Sequence, residues 1–163
     1  MTLHDPVLLR AAEAPIRLGG LGVRSLASAA ATGGMAALVE HPLAPLSLGA
    51  PLHTHSREDE FSFILEGCVG VMVGDRVLEA RPGDVVSKPR GVPHAFWNAT
   101  DAPARLVELI VPGGFEGYFA EMAPAIAAED WGQAAAICAR YGIEMDMGSI
   151  GTLSARFGLA VPA

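Results

Sequence analysis

Apolar and polar residues alternate in short runs through the first two thirds of the chain, and each run ends in a turn. Phe61 to Glu66 closes at Gly67. Val69, Val71 and Val73 alternate with small residues before Gly74-Asp75, a two-residue hairpin signal that returns the chain through Arg76 to Ala80. Arg81-Pro82-Gly83-Asp84 supplies the next turn, and Val85 to Ser87, Ala95 to Asn98 and Arg105 to Val111 complete the set. Earlier, Gly22 to Leu26 alternates weakly, and Met35 to Glu40 is a better strand, preceded by the turn Thr32-Gly33-Gly34. Residues 1 to about 20, broken by Pro6, Pro15 and Gly19-Gly20, predict a short helical turn or a strand lying along the β structure. The prolines at 42, 45 and 51 predict a long irregular segment before residue 53. Many short strands at this spacing predict an antiparallel barrel or jelly roll.

After Pro112-Gly113-Gly114 the period changes. Phe115, Phe119 and Met122 share one helical face until Pro124, which is expected to stop that helix. Asp130-Trp131-Gly132-Gln133 has the form of a capping box opening a second helix that runs to Tyr141 and stops at Gly142. Ala139-Arg140-Tyr141-Gly142-Ile143 is echoed by Ala155-Arg156-Phe157-Gly158-Leu159, which predicts two helix C-termini with the same cap, not a duplicated domain. The chain reads as a single domain over 1–163: a mostly β barrel over about 20–112 and a helical extension over 113–163 packed against its outside.

Composition narrows the partners. At 163 residues the chain is long enough to bury roughly two-thirds of its unfolded surface. Its 51% hydrophobic content and mean hydropathy of +0.36 fit a filled barrel plus a surface covered by another subunit, so a homodimer is expected. A net charge of −7 argues against nucleic acid, which requires clustered Lys and Arg. Cys68 and Cys138 lie far apart with no CxxC, so reduced thiols are expected. The first residues lack a basic region followed by an apolar one, and no run approaches the ~20 apolar residues of a membrane span. A cytoplasmic protein without a membrane partner is expected.

The candidate chemistry lies between residues 53 and 94. His53 and His55 are one residue apart, so on a strand both imidazoles project from one face. Ser56-Arg57-Glu58-Asp59 is long enough to reverse the chain and bring Glu60 back toward the pair. His94 follows the turn containing Pro89-Arg90-Gly91. Three imidazoles and one carboxylate suit one divalent transition-metal ion, Fe, Mn, Ni, Cu or Zn, and a six-coordinate ion would keep two positions for water, dioxygen or substrate. Strand parity predicts that Phe96 and Asn98 point inward with His94, and Ser62 and Ile64 with Glu60, while Ala95 and Trp97 face out. The pocket should be mostly apolar, which favours a small organic substrate. Glu40 and His41 read as a solvated strand end, Arg90 as a surface charge, and His4 as solvent-exposed.

Two motifs carry a resemblance. The first is His53-Thr54-His55, four residues, Glu60, six residues, Gly67; the second is Gly83, five residues, Pro89-Arg90-Gly91, two residues, His94, three residues, Asn98. In these the chain resembles the cupin superfamily. The resemblance implies that His53, His55, Glu60 and His94 bind the metal, and that the barrel is a double-stranded β-helix. One position departs: the family usually has glycine six residues before the first histidine, where this chain has Ser47, with Gly49 two residues later. Within the superfamily the chain looks most like the small quercetin-dioxygenase-like proteins. That likeness implies a metal-dependent dioxygenase acting on an aromatic or enol-containing molecule, with Glu60 also accepting a proton. A metal-dependent isomerase or lyase of a sugar or keto acid, and a non-catalytic ligand-binding protein, stand as alternatives, because one fold hosts many activities.

Overall fold

The computed structural model describes residues 8–11 and 15–160; His4 and the other N-terminal positions before residue 8 lie outside them. Strands β1 (Ile16–Leu18) and β2 (Leu21–Ala27) form an opening hairpin, and one helical turn, α1 (Ala29–Thr32), follows. The chain then runs through β3 (Ala37–Leu43), β4 (Ser47–His55), β5 (Asp59–Glu66), β6 (Val69–Val73) and β7 (Arg76–Ala80). Next come β8 (Val85–Lys88), β9 (His94–Asn98) and β10 (Ala104–Val111). The extension holds α2 (Glu116–Ala127), α3 (Trp131–Tyr141), β11 (Ile143–Asp146) and α4 (Ser149–Phe157).

Two antiparallel sheets face each other, one in the order β1-β2-β3-β10-β5-β8 and the other β11-β4-β9-β6-β7. Gly74-Asp75 makes the two-residue hairpin its sequence announces, with Val73 opposite Arg76. In β10 Ala104, Leu106, Glu108 and Ile110 point inward, and in β5 Glu60, Ser62 and Ile64 do. Val39, Leu43, Val69, Val71, Leu106 and Ile110 join the two inner faces into one core, each large side chain contributing roughly 1.5–3 kcal/mol by its burial. Both cysteines are free.

Pro45 lies in the turn between β3 and β4, but Pro42 and Pro51 do not interrupt their strands as the pattern predicts. Between the pairs Leu21–Leu43 and Arg24–Glu40, Gly22 stands opposite Pro42. Pro42 has no N–H to offer the Gly22 carbonyl, and His41 Nδ1 donates to it at 3.0 Å, so the ladder stays satisfied. Pro51 sits where β4 shifts register against β9 between Ala50 and His53, a bulge that tolerates a missing donor. Ser47, the departure from the expected glycine, starts β4 as an ordinary strand residue and donates to the Ala44 carbonyl at 2.7 Å. It is at Gly49 that closeness matters, since a Cβ there would collide with the Phe96 ring.

Pro124 lies inside α2 and does not end it. It forfeits one bond near the C-terminus, and the buried Ala125 one residue on keeps the last turn packed. Asp130 caps α3 by accepting from Gln133 N–H at 2.9 Å, and Gly142 and Gly158 close α3 and α4 in the left-handed conformation, φ 68° and 67°. Trp97 faces away from the barrel interior, as its parity predicts, yet it is buried because Phe157 of α4 stacks on it at 3.9 Å. Two short elements go unannounced in the sequence pattern, α1 and β11. Four residues, Ile-Glu-Met-Asp, are too few to show a period, but they pair with β4 so that Ile143 faces His55 and Met145 faces His53.

Candidate metal centre

His53 and His55 come from the end of β4, Glu60 from the start of β5, and His94 opens β9 directly opposite His53. All four side chains are buried, and one donor atom from each lies within 4.8 Å of the others. The imidazoles pack as a cluster, with ring centroids 4.3 Å apart for His53–His94 and 5.4 Å for the nearly parallel His55–His94. The turn before β9 is tied to this cluster by Gly91, whose φ of 74° lets its N–H reach the His55 carbonyl at 2.8 Å.

Whether the donors suit a metal is decided at the nitrogens facing away from it. His53 Nδ1 donates to the Pro51 carbonyl at 2.7 Å, and His94 Nδ1 to the Val92 carbonyl at 3.0 Å. A carbonyl only accepts, so each Nδ1 carries the proton and each Nε2 keeps its lone pair. His55 Nδ1 lies 3.5 Å from Glu58 Oε2, and its Nε2 lies 3.5 Å from Glu60 Oε1. Both nitrogens of this fully buried ring lack a hydrogen-bond partner, as does Glu58 Oε2. An orphaned ring between two carboxylates is costly unless something occupies the space at Nε2, and a cation fits that description. Burial, reinforced by the neighbouring imidazoles, pushes His53 well below the usual histidine range; burial also lowers His94. Both are therefore held in the neutral form that ligation requires.

Glu60 is the charged member. Burial alone would raise its carboxyl, but the Lys88 ammonium, with help from His94 and His55, holds it well below the ordinary range, so it stays ionised. Lys88 Nζ lies 2.9 Å from Glu60 Oε2 and 2.8 Å from Glu108 Oε2, and Ser62 Oγ donates to Glu108 at 3.0 Å. Desolvation pushes the Glu108 carboxyl up to about 7 despite Lys88. The inner face is thus less apolar than the pattern predicts. Lys88 and Glu108 escape notice among strand residues, although Glu108 shares the inward parity of Leu106 and Ile110. His41, expected at a solvated strand end, is buried near Phe96 and Phe119, with its pKa lowered by burial to about 4. Glu40 faces the other way and pairs with Arg24 and Arg105, while Arg90 pairs with Asp59 on the surface.

The extension closes the site. Phe115, at the start of α2, packs edge-on to His55 at 4.3 Å, and Phe119 lies 5.5 Å from His41. On the other side, His53 lines a surface cleft of about 280 Å³ with Pro93, Thr54 and the β11 residues Glu144, Met145 and Asp146. Among the described residues no helix is long and apolar enough to cross a membrane.

Comparison with known proteins agrees with this geometry. The family model described as Cupin domain matches residues 41–111. The fold is cupin-like. A predicted oxalate decarboxylase from Thermotoga maritima is 23% identical, with a TM-score of 0.60 over 65% of this chain and 99% of that one. KdgF from a Halomonas species is 17% identical, TM-score 0.53, over 58% and 81% of the two chains. The cupin domain of Schizosaccharomyces pombe Cnp3 is 19% identical, TM-score 0.53, over 63% and 68%. At these identities the likeness is one of fold. No curated protein matches the chain. The matched domain contains all four donors and both strand ladders around them, and a buried histidine and glutamate cluster in a cupin fold is consistent with a single metal ion.

Proposed function

We propose that the chain is a metal-dependent enzyme of the quercetin-dioxygenase-like kind, oxidising a small aromatic or enol-containing molecule. The observation that supports this reading is the convergence of three imidazoles and one carboxylate in a buried site, with Phe115 packed on His55. His53, His55, Glu60 and His94 would hold the ion, which when bound supplies Lewis acidity and, if redox-active, one-electron chemistry. The chain's own groups do the rest. Pro51 and Val92 orient the imidazoles of His53 and His94, Phe115 and Phe119 keep water out, and Glu60 accepts the substrate's hydroxyl proton in passing. The cleft over His53 is the route in, and Met145 and Pro93 form its walls. Protein loaded in turn with Fe(II), Mn(II), Ni(II) and Cu(II) should consume dioxygen with some member of a panel of flavonols, catechols and diketones. No consumption with any pairing refutes the oxidative reading.

A second reading, an isomerase or lyase acting on a sugar or keto acid, is favoured by His41. Its Nδ1 proton is committed to Gly22, which leaves a buried neutral imidazole with its Nε2 lone pair as a base. Turnover without dioxygen would select this reading. For assembly we propose a homodimer through the outer face of the six-stranded sheet, where Phe63, Leu65 and Val85 are exposed. Light scattering should give roughly twice the 16.9 kDa chain mass.

A further inference from the structure

Behind the four donors lies a second polar group that the proposed chemistry leaves without a task. Lys88 is 1% exposed at its side chain and lies across from Glu60 in the β5–β8 ladder. Glu108, equally buried, lies across from Ser62 in the β5–β10 ladder. Three adjacent strands thus bring Glu60, Ser62, Lys88 and Glu108 onto one patch of the inner face. Lys88 Nζ also lies over the Phe96 ring, 5.1 Å from its centroid, so its ammonium is confined on a third side.

Burying a lysine is costly, and apolar residues commonly serve a fold as well as a buried ion pair does. On this patch two carboxyl groups share one ammonium in a place shielded from water, so the position of Lys88 Nζ is fixed between them. The two oxygens of Glu60 have different surroundings. Oε2 takes the Lys88 ammonium at 2.9 Å and lies 3.2 Å from His94 Nε2, whereas Oε1 faces the orphaned His55 Nε2 at 3.5 Å.

We infer that Lys88, clamped by Glu108, is a positioning residue that reserves one oxygen of Glu60, so that Glu60 presents the other alone to the metal. This rests on the assignment of His53, His55, Glu60 and His94 as the ligands. Ser62 holds Glu108, Glu108 holds Lys88, and Lys88 sets the rotation of the Glu60 carboxylate and its strength as a donor. Groups that hydrogen-bond a ligand from behind typically change metal affinity by about 10–100-fold when removed.

The test uses Mn(II) as probe, with binding titrated by the EPR signal of the free ion and the zero-field splitting of the bound ion read from its spectrum. K88M is expected to weaken binding about tenfold or more and to change the splitting. Because K88M leaves Glu108 buried without its cation, the double variant K88M/E108L, which removes both charges, is measured beside it for folding by circular dichroism. The double variant is expected to fold and to show the same altered spectrum. A folded K88M or K88M/E108L protein with wild-type affinity and an unchanged spectrum overturns the inference while leaving the ligand assignment standing. Wild-type protein that takes up no Mn(II) overturns the assignment, and the inference with it.

Discussion

Two regions border the same four donors and are built on different terms. The strands and turns from His53 to His94 supply all four candidate donors, and their geometry is set by local spacing: one residue between histidines, a four-residue reversal, a glycine turn before β9. The extension from Phe115 onward supplies none of these donors, yet it covers His55 with Phe115, braces β4 with β11 and buries Trp97 under Phe157. The first region decides what can bind; the second decides how dry and how rigid the bound state is. A site can therefore lose its chemistry without losing its shape, or lose its shape while the donors remain.

The sharpest way to break this division is to remove ligands. A His53→Ala/His94→Ala variant should fall from one metal ion per chain to background by elemental analysis, while its far-ultraviolet dichroism stays that of a β protein. Full metal retention would mean that the wrong donors have been assigned. The converse experiment is Phe115→Ala. It should cost about 3–5 kcal/mol in denaturant unfolding, because a buried ring against His55 and Tyr118 leaves a void. Metal stoichiometry should persist in that variant. If the metal is lost as well, the extension contributes more to the centre than cover.

This asymmetry also explains what could be read from residues alone. The convergence of His53, His55, Glu60 and His94 was legible because their spacing is dictated by strand parity and by turns whose residues have few alternatives. Parity likewise placed Phe96, Asn98, Ser62 and Ile64 on the inner face and Trp97 on the outer one. The path through Pro42 was not legible, since the bond that rescues it comes from the side chain of His41 to Gly22, a partner 19 residues away. Nor was β11, because a four-residue strand carries no period and its partner lies in β4. Lys88 and Glu108 were hidden for a related reason. A single charge on an inward position looks like a solvated strand end until its neighbour across the sheet is known.

Acid should separate the regions by another measure. His41, His53 and His94 have pKa values lowered by burial, so the unfolded chain binds protons that the folded chain refuses. The histidine contribution to stability is therefore unchanged above the unfolded histidine range and falls as pH drops from about 6.5, opposed in part by Glu108, whose raised carboxyl takes its proton first in the folded chain; the His41 share is complete near its folded value of about 4. For His41 alone the loss is on the order of 3 kcal/mol. His41→Asn, which keeps a donor for the Gly22 carbonyl, should flatten the stability curve over that window in metal-free protein. An unchanged slope would show that His41 does not titrate as a buried neutral group.

The finest comparison uses the two helix caps that echo each other in sequence. Gly142 and Gly158 share the same left-handed conformation, so alanine at either should cost on the order of 1–2 kcal/mol from backbone strain alone. Their surroundings differ. Nothing lies near a Cβ at Gly158, whereas a Cβ at Gly142 would collide with Ser56 Oγ and press on Arg57. Ser56 follows His55 directly, and both its N–H and its hydroxyl donate to the Gly142 carbonyl, at 2.9 and 2.7 Å. Gly142→Ala should thus cost more than Gly158→Ala in unfolding and should also weaken metal affinity, which Gly158→Ala should leave unchanged. In a Ser56→Ala background the difference should shrink, because the colliding oxygen is gone. Equal costs in the wild-type background would mean that the extension rests against the ligand strand without holding it.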